Sequence, residues 1–124
     1  LVPASHSSSI VVDGRAAYMG QECGLIIRGE GKCLYLSGDT DIMADMDWIA
    51  DYYKPSIGVL SAGGYFTMDM GGAAYAAKRY FDFETVIPCH YRTFPLLEQS
   101  ADALKQGLPG VQVIEPHPMQ AITL

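Results

Sequence analysis

Three short apolar stretches, at 32–37, 57–60 and 84–88, set most of what this chain can fold into. Each has the length of a strand buried on both faces, and each is bounded by turn residues. The segments between them are long enough for helices and carry helical spacing. Ile42, Met46, Ile49 and Tyr53 recur at steps of four, three and four, one face of a helix over 41–54 that Pro55 ends. Asp69 is placed to cap a second helix over 70–80, whose glycines and alanines give it a thin face for close packing. A third helix is expected over 95–106 with Leu96, Leu97 and Leu104 turned inward. Strand and helix alternating in this way argue for α/β layers with helices packed on a sheet.

The flanks of this core read less sharply. Residues 1–4 look like the end of a strand with Pro3 at a sheet edge. Residues 10–20 read as a loop with Asp13-Gly14 marking a turn, and 23–28 as a strand that pairs with 32–37 through a tight Gly29-Glu30-Gly31 connection. Strands are also expected at 111–114 and 119–124.

The ends of the apolar stretches carry the chemistry. Gly38-Asp39-Thr40 follows the first, and Cys89-His90-Tyr91 the last. Open α/β sheets place their ligands at the carboxyl ends of strands. A carboxylate and an imidazole there suit a metal ion, although Asp39-Thr40 also suits a helix cap and His90 a strand-end histidine bonded to backbone. His6, in the polar loop 5–9, is a third candidate ligand or a surface histidine. Gly63 and Gly64 allow close backbone approach, and Tyr65 and Phe66 either line a pocket or pack.

Composition narrows the function classes. A net charge of −6 with scattered Lys and Arg disfavours a nucleic-acid partner. No apolar run approaches the roughly 18 residues of a membrane span. Three cysteines without a Cys-x-x-Cys pair fit free thiols in a reducing compartment, so a cytoplasmic protein is expected.

Taken in order, Pro3-Ala4-Ser5-His6-Ser7-Ser8, Leu36-Ser37-Gly38-Asp39-Thr40, Gly63-Gly64-Tyr65-Phe66-Thr67-Met68-Asp69 and Val86-Ile87-Pro88-Cys89-His90-Tyr91-Arg92-Thr93-Phe94 resemble consecutive motifs of the metallo-β-lactamase superfamily. The similar branch holds the ascorbate-6-phosphate lactonase-like proteins and uncharacterised metal-dependent hydrolases. The resemblance implies an αββα sandwich and a hydrolytic site with two divalent metals, usually zinc, sometimes manganese or iron. It implies His6 as a ligand of the first metal, His90 of the second, and Asp39 as the carboxylate between them. Asp69 and Thr40 would support the site from behind, and Tyr65, Phe66 and Arg92 would face the substrate. Arg92 stands where the family usually has glycine, and its charge would favour an anionic substrate.

The family's main signature, His-x-His-x-Asp-His, lies upstream of these motifs, and this chain has three histidines and no His-x-His. The chain therefore resembles the C-terminal half of a longer enzyme. The expectation is a hydrolase of a small anionic ester, lactone or phosphodiester in the complete protein, and a chain that is inactive by itself. An apolar sheet face left open would be covered by the N-terminal half, another chain or a swapped copy, and a homo-oligomer is expected. Two other readings stand beside it. One is a non-catalytic α/β half serving assembly or binding. The other is a haloacid-dehalogenase-like phosphatase holding Mg²⁺ on Gly38-Asp39-Thr40-Asp41.

Overall fold

The computed structural model describes all 124 residues. In chain order the elements are β1 (Val2–Pro3), β2 (Ser9–Val12), β3 (Arg15–Tyr18), β4 (Cys23–Gly29), β5 (Lys32–Leu36), α1 (Met46–Tyr53), β6 (Ile57–Ser61), α2 (Met70–Tyr80), β7 (Thr85–Cys89), α3 (Asp102–Gly107) and β8 (Gln112–Val113). Six strands form one mixed sheet in the order β1-β4-β5-β6-β7-β8, and β2-β3 form a separate ribbon. The pairs β1-β4 and β4-β5 are antiparallel, while β5, β6, β7 and β8 run parallel. Three helical crossovers step the same way across the sheet. Their common handedness puts all three helices on one face.

That face is sealed. Ile26, Tyr35, Gly58, Val86 and Val113 form one register row across it. Met46 and Ile49 of α1, Met70 and the alanines of α2, and Leu104 of α3 close over the row in a single apolar cluster. Each fully buried Met, Ile or Leu there contributes about 1.5–3 kcal/mol. Gly58 is part of the fit. Any Cβ there would strike the Phe83 ring, and Phe83, Phe81 and Tyr35 stack in turn at 4.5 and 5.3 Å. Burial pushes the Tyr35 phenol up to about 12.

The other face carries two apolar rows, Leu25-Leu36-Val59-Ile87 and Ile27-Leu34-Ile57. None of these side chains joins the helix-side cluster. Ile57 and Ile87 are buried, but Leu25 and Ile27 remain 37% and 49% exposed. The α/β expectation is met as one half of a layered arrangement, with one apolar face left without a helix.

Several boundaries differ from expectation. The first helix starts at Met46 rather than at Asp41. Asp41 turns its carboxylate to the Ile42 amide at 2.7 Å, and its own amide donates to the Ser5 carbonyl. Side chain and loop take the groups a helix would need. The helix ends on a left-handed Lys54, just before Pro55. The third helix is confined to α3. Gln99 donates to the Phe94 and Leu97 carbonyls, which holds the preceding segment as a loop and leaves Leu96 67% exposed rather than inward. Residues 9–18, read as loop, form the β2-β3 hairpin, with Asp13 and Gly14 both at positive φ in a two-residue turn. No strand forms over 119–124. The second helix matches its expected bounds, and Asp69 caps it by accepting from the Gly72 amide at 2.6 Å.

Candidate metal centre

The carboxyl ends of β5, β6 and β7 lie side by side, because the strands are parallel and in register. Two side chains far apart in sequence meet there. His90 Nε2 stands 3.6 Å from Asp39 Oδ2, with the side chains 31% and 49% exposed. That is too long for a hydrogen bond. It matches the edge between two ligand atoms of one tetrahedral ion, about 3.4 Å apart for bonds of about 2.1 Å.

The backbone on either side of Asp39 is held by three buried hydroxyls. Ser37, Thr40 and Ser61 are all 0% exposed. The Ser61 amide donates to Ser37 Oγ at 3.0 Å, and the Thr40 amide to Ser61 Oγ at 3.3 Å. Thr40 Oγ1 accepts from the Ser5 amide at 2.9 Å and donates to the Asp41 carbonyl at 2.8 Å. Thr40, expected to support the site from behind, is buried beside Asp39 and bonds the Ser5 amide, the Ser61 hydroxyl and the Asp41 carbonyl. Ser37 and Ser61 were missed, although each is a lone hydroxyl closing an apolar strand. Gly38, at φ +64, lies so close to the Cys23 carbonyl that a Cβ would collide with it.

His90 is held by backbone packing. A Cβ on Gly63 would overlap the His90 carbonyl oxygen, so only glycine lets the β6 loop pass. His90 and Arg92 both have positive φ, 59° and 67°. Such a conformation costs a residue with a side chain about 1–2 kcal/mol. The His90 Nδ1 atom is buried without a hydrogen-bond partner. A metal-bound histidine ordinarily donates from its second nitrogen to an acceptor, and this ring has none within the chain. The adjoining Cys89 thiol is pushed up to about 11, by burial first and then by the Asp39 charge, which removes it as a nucleophile at neutral pH.

His6 does not complete the pair. Ser5 is docked on Thr40 and Asp41, but the His6 ring lies 2.9 Å from the Ser7 carbonyl. No group of three or more His, Cys, Asp or Glu side chains comes together in a way that would hold a metal. The residues present fit two ligands of a metal site and fall short of the three protein ligands a catalytic zinc site uses.

The remaining expected site residues lie around this pair. Tyr65 lines a cleft with Gly63, Gly64, Asp69 and Leu96. Phe66 meets Tyr65 edge-on at 4.7 Å, and the two are 55% and 74% exposed respectively, so they form an open lip. Asp69 serves as the α2 cap. Arg92 is already engaged: its Nη1 donates to Glu115 Oε2 at 2.9 Å. Lys105 takes the other Glu115 oxygen, and Tyr91 OH donates to Oε2 at 3.3 Å. The two cations hold the Glu115 carboxyl down at about 2. Another cleft, lined by Ala77, Phe81, Phe83 and Leu108, opens near the start of β7, at the sheet edge opposite His90.

No family model matches the chain. Over its length it is similar to curated proteins named UPF0173 metal-dependent hydrolase. One from Ruegeria pomeroyi is 69% identical over 122 residues, covering 98% of this chain and 53% of that protein. One from Paracoccus denitrificans is 63% identical over 124 residues, covering 100% and 54%. The chain spans about half the length of the curated relatives it matches. Among solved structures, a metallo hydrolase from Ignicoccus hospitalis superposes with a TM-score of 0.79 at 34% identity, over 97% of this chain and 49% of that one. A Thermotoga maritima protein of the metallo-beta-lactamase superfamily gives a TM-score of 0.59 at 18% identity, over 90% and 69%, a likeness of fold alone. The fold is thus a mixed α/β sheet fold that matches part of metallo-β-lactamase hydrolase structures. No helix is long and apolar enough to cross a membrane.

Proposed function

We propose that this chain is the C-terminal part of a metal-dependent hydrolase of the metallo-β-lactamase type, and that it supplies part of a two-metal site, zinc by preference, to the complete protein. The observation that carries the reading is Asp39 facing His90 at 3.6 Å across the ends of two parallel strands. When bound, divalent metals supply Lewis-acid polarisation and an acidified water. Asp39 and His90 would hold them, with His6 recruited by a change of side-chain rotamer. The chain's own residues do the rest. The Ser37, Ser61 and Thr40 hydroxyls fix the backbone on either side of Asp39, Gly63 fixes the height of His90, and Tyr65 and Phe66 offer an apolar lip to a small ester, lactone or phosphodiester.

The apolar rows on the helix-free face of the sheet support a second layer supplied from outside these residues. That layer would be the N-terminal half, carrying the other ligands, or a partner chain or second copy. A cytoplasmic location fits the three free cysteines. The non-catalytic reading draws on one observation, the absence of a three-ligand group. The Mg²⁺ phosphatase reading is weakened because the Asp41 carboxylate is bonded to its neighbouring amide.

The test is a zinc titration of the full-length protein and of the isolated 124 residues, each followed by an esterase and phosphodiesterase panel. The full-length protein should bind metal tightly and turn over, and Asp39→Ala in it should abolish turnover while leaving the unfolding midpoint nearly unchanged. The isolated chain should bind weakly and stay inactive. Tight binding of two metals with turnover by the isolated chain would overturn the half-site reading. A full-length protein that binds no metal would favour the non-catalytic one.

A further inference from the structure

The loop that carries His90 is tied on its outer side to a residue from the far end of the chain. His90 and Arg92 bracket Tyr91 in a loop with two left-handed residues, neither of them glycine. Such a loop persists only where its surroundings over-determine it. On the inner side the Arg92 amide donates to the Glu98 carbonyl at 2.9 Å, and the Glu98 amide to the Gly63 carbonyl at 2.8 Å. On the outer side the chief ties are to Glu115. Its carboxylate takes Arg92 Nη1 at 2.9 Å, Tyr91 OH at 3.3 Å and Lys105 Nζ. The Arg92 guanidinium also lies over the Tyr91 ring, 5.2 Å from its centre.

We infer that Glu115 is a positioning residue for His90: it clamps Arg92 and Tyr91, holds the left-handed loop, and so fixes the imidazole opposite Asp39. The inference rests on the proposed metal site for its consequence but not for its geometry. It also changes the role of Arg92. A guanidinium bonded to Glu115 is a pin in the loop rather than a hook for an anionic substrate. A glycine at position 92 would adopt φ +67° without strain and would need no pin. The return turn that carries Glu115 continues as Pro116, His117 and Pro118, which face Cys89, His90 and Arg92 across one cleft. The clamp therefore also sets the width of the site mouth.

The test uses the full-length protein with Glu115→Gln, Arg92→Gly and the double variant. Two readouts are taken: the ¹⁵N imidazole resonances of His90 in metal-free protein, and the dissociation constant for Zn²⁺ alone, measured by competition with a chromophoric chelator. Glu115→Gln should shift the His90 resonances and weaken zinc by about tenfold, the size of effect that outer partners of metal ligands usually have. Arg92→Gly should stay within about threefold of wild type, and Glu115→Gln added to it should change little more, because glycine removes the need for the clamp. An unchanged His90 signal and zinc constant in Glu115→Gln would overturn the inference. So would an equal loss in the Arg92 and Gly backgrounds. A lower KM for an anionic ester in Glu115→Gln would also overturn it, by showing that freed Arg92 is a substrate hook. If Glu115→Gln does not fold, a weakened zinc constant in Lys105→Met supports the clamp and an unchanged one overturns it. If wild type binds no zinc, the hydrolase reading fails, and the His90 resonances still decide on the clamp.

Discussion

The two walls of the candidate site are held by opposite means. The β5 wall, which carries Asp39, is fixed from inside by three hydroxyls at 0% exposure, each accepting from a nearby amide and donating to a nearby carbonyl. The β7 wall, which carries His90, is fixed by a glycine-only backbone contact below and an ion pair at the surface. Buried neutral hydrogen bonds are insensitive to salt and pH, and leaving one unmade is costly. Surface ion pairs are weak and are screened by salt. The Asp39 side of the site should therefore be the constant side and the His90 side the adjustable one.

Three experiments sharpen or break this contrast. The largest effect is expected from Gly63→Ala in the full-length protein. Its Cβ overlaps the His90 carbonyl, and backbone must move to admit it, at about 3 kcal/mol in urea unfolding. A cost below about 1 kcal/mol would mean that the β7 wall yields freely. Next is Ser61→Ala. It leaves the Thr40 amide buried without its partner, for about 2 kcal/mol independent of salt. A strongly salt-dependent loss would show that the Asp39 wall is not held by neutral hydrogen bonds. The smallest effect is the pH dependence of the Glu115 clamp. Its folded-state value is lowered from 4.5 to about 2. The stability it adds is then present in full above the ordinary carboxylate range and lost as pH falls through that window. The stability gap between wild type and Glu115→Gln should close on acidification and shrink in high salt. A gap that widens as pH falls would have the wrong sign for this ion pair.

The contrast also marks what could be read from residues alone. The second helix and its Asp69 cap, the β4-β5 hairpin and the parallel strands were legible, because each is written locally in periodicity, turn residues and caps. The β2-β3 hairpin was equally local, with Ile10-Val11-Val12 leading into Asp13-Gly14, but its strands are exposed apart from a half-buried Ala17 and no buried stripe marks them. Leu96 was misplaced because one glutamine side chain, Gln99, captures the backbone of that segment. At the site, Asp39, His90 and Thr40 were legible from their places at strand ends. Ser37, Ser61 and Glu115 were not, since a lone serine or glutamate carries no periodic signal.

The sequence by itself determined the order of the elements from β4 to β8, the parallel strands and the edge of that sheet where chemistry collects. These follow from short-range patterning, and a parallel register then forces strand ends together. Only the tertiary structure decided that Asp39 and His90 stand 3.6 Å apart without His6 joining them in a three-ligand group, and that Arg92 is tied to Glu115. Those outcomes depend on which polar groups compete for which partners across 20 or more residues of intervening chain. Such competition is settled by packing in three dimensions, and no local pattern records it.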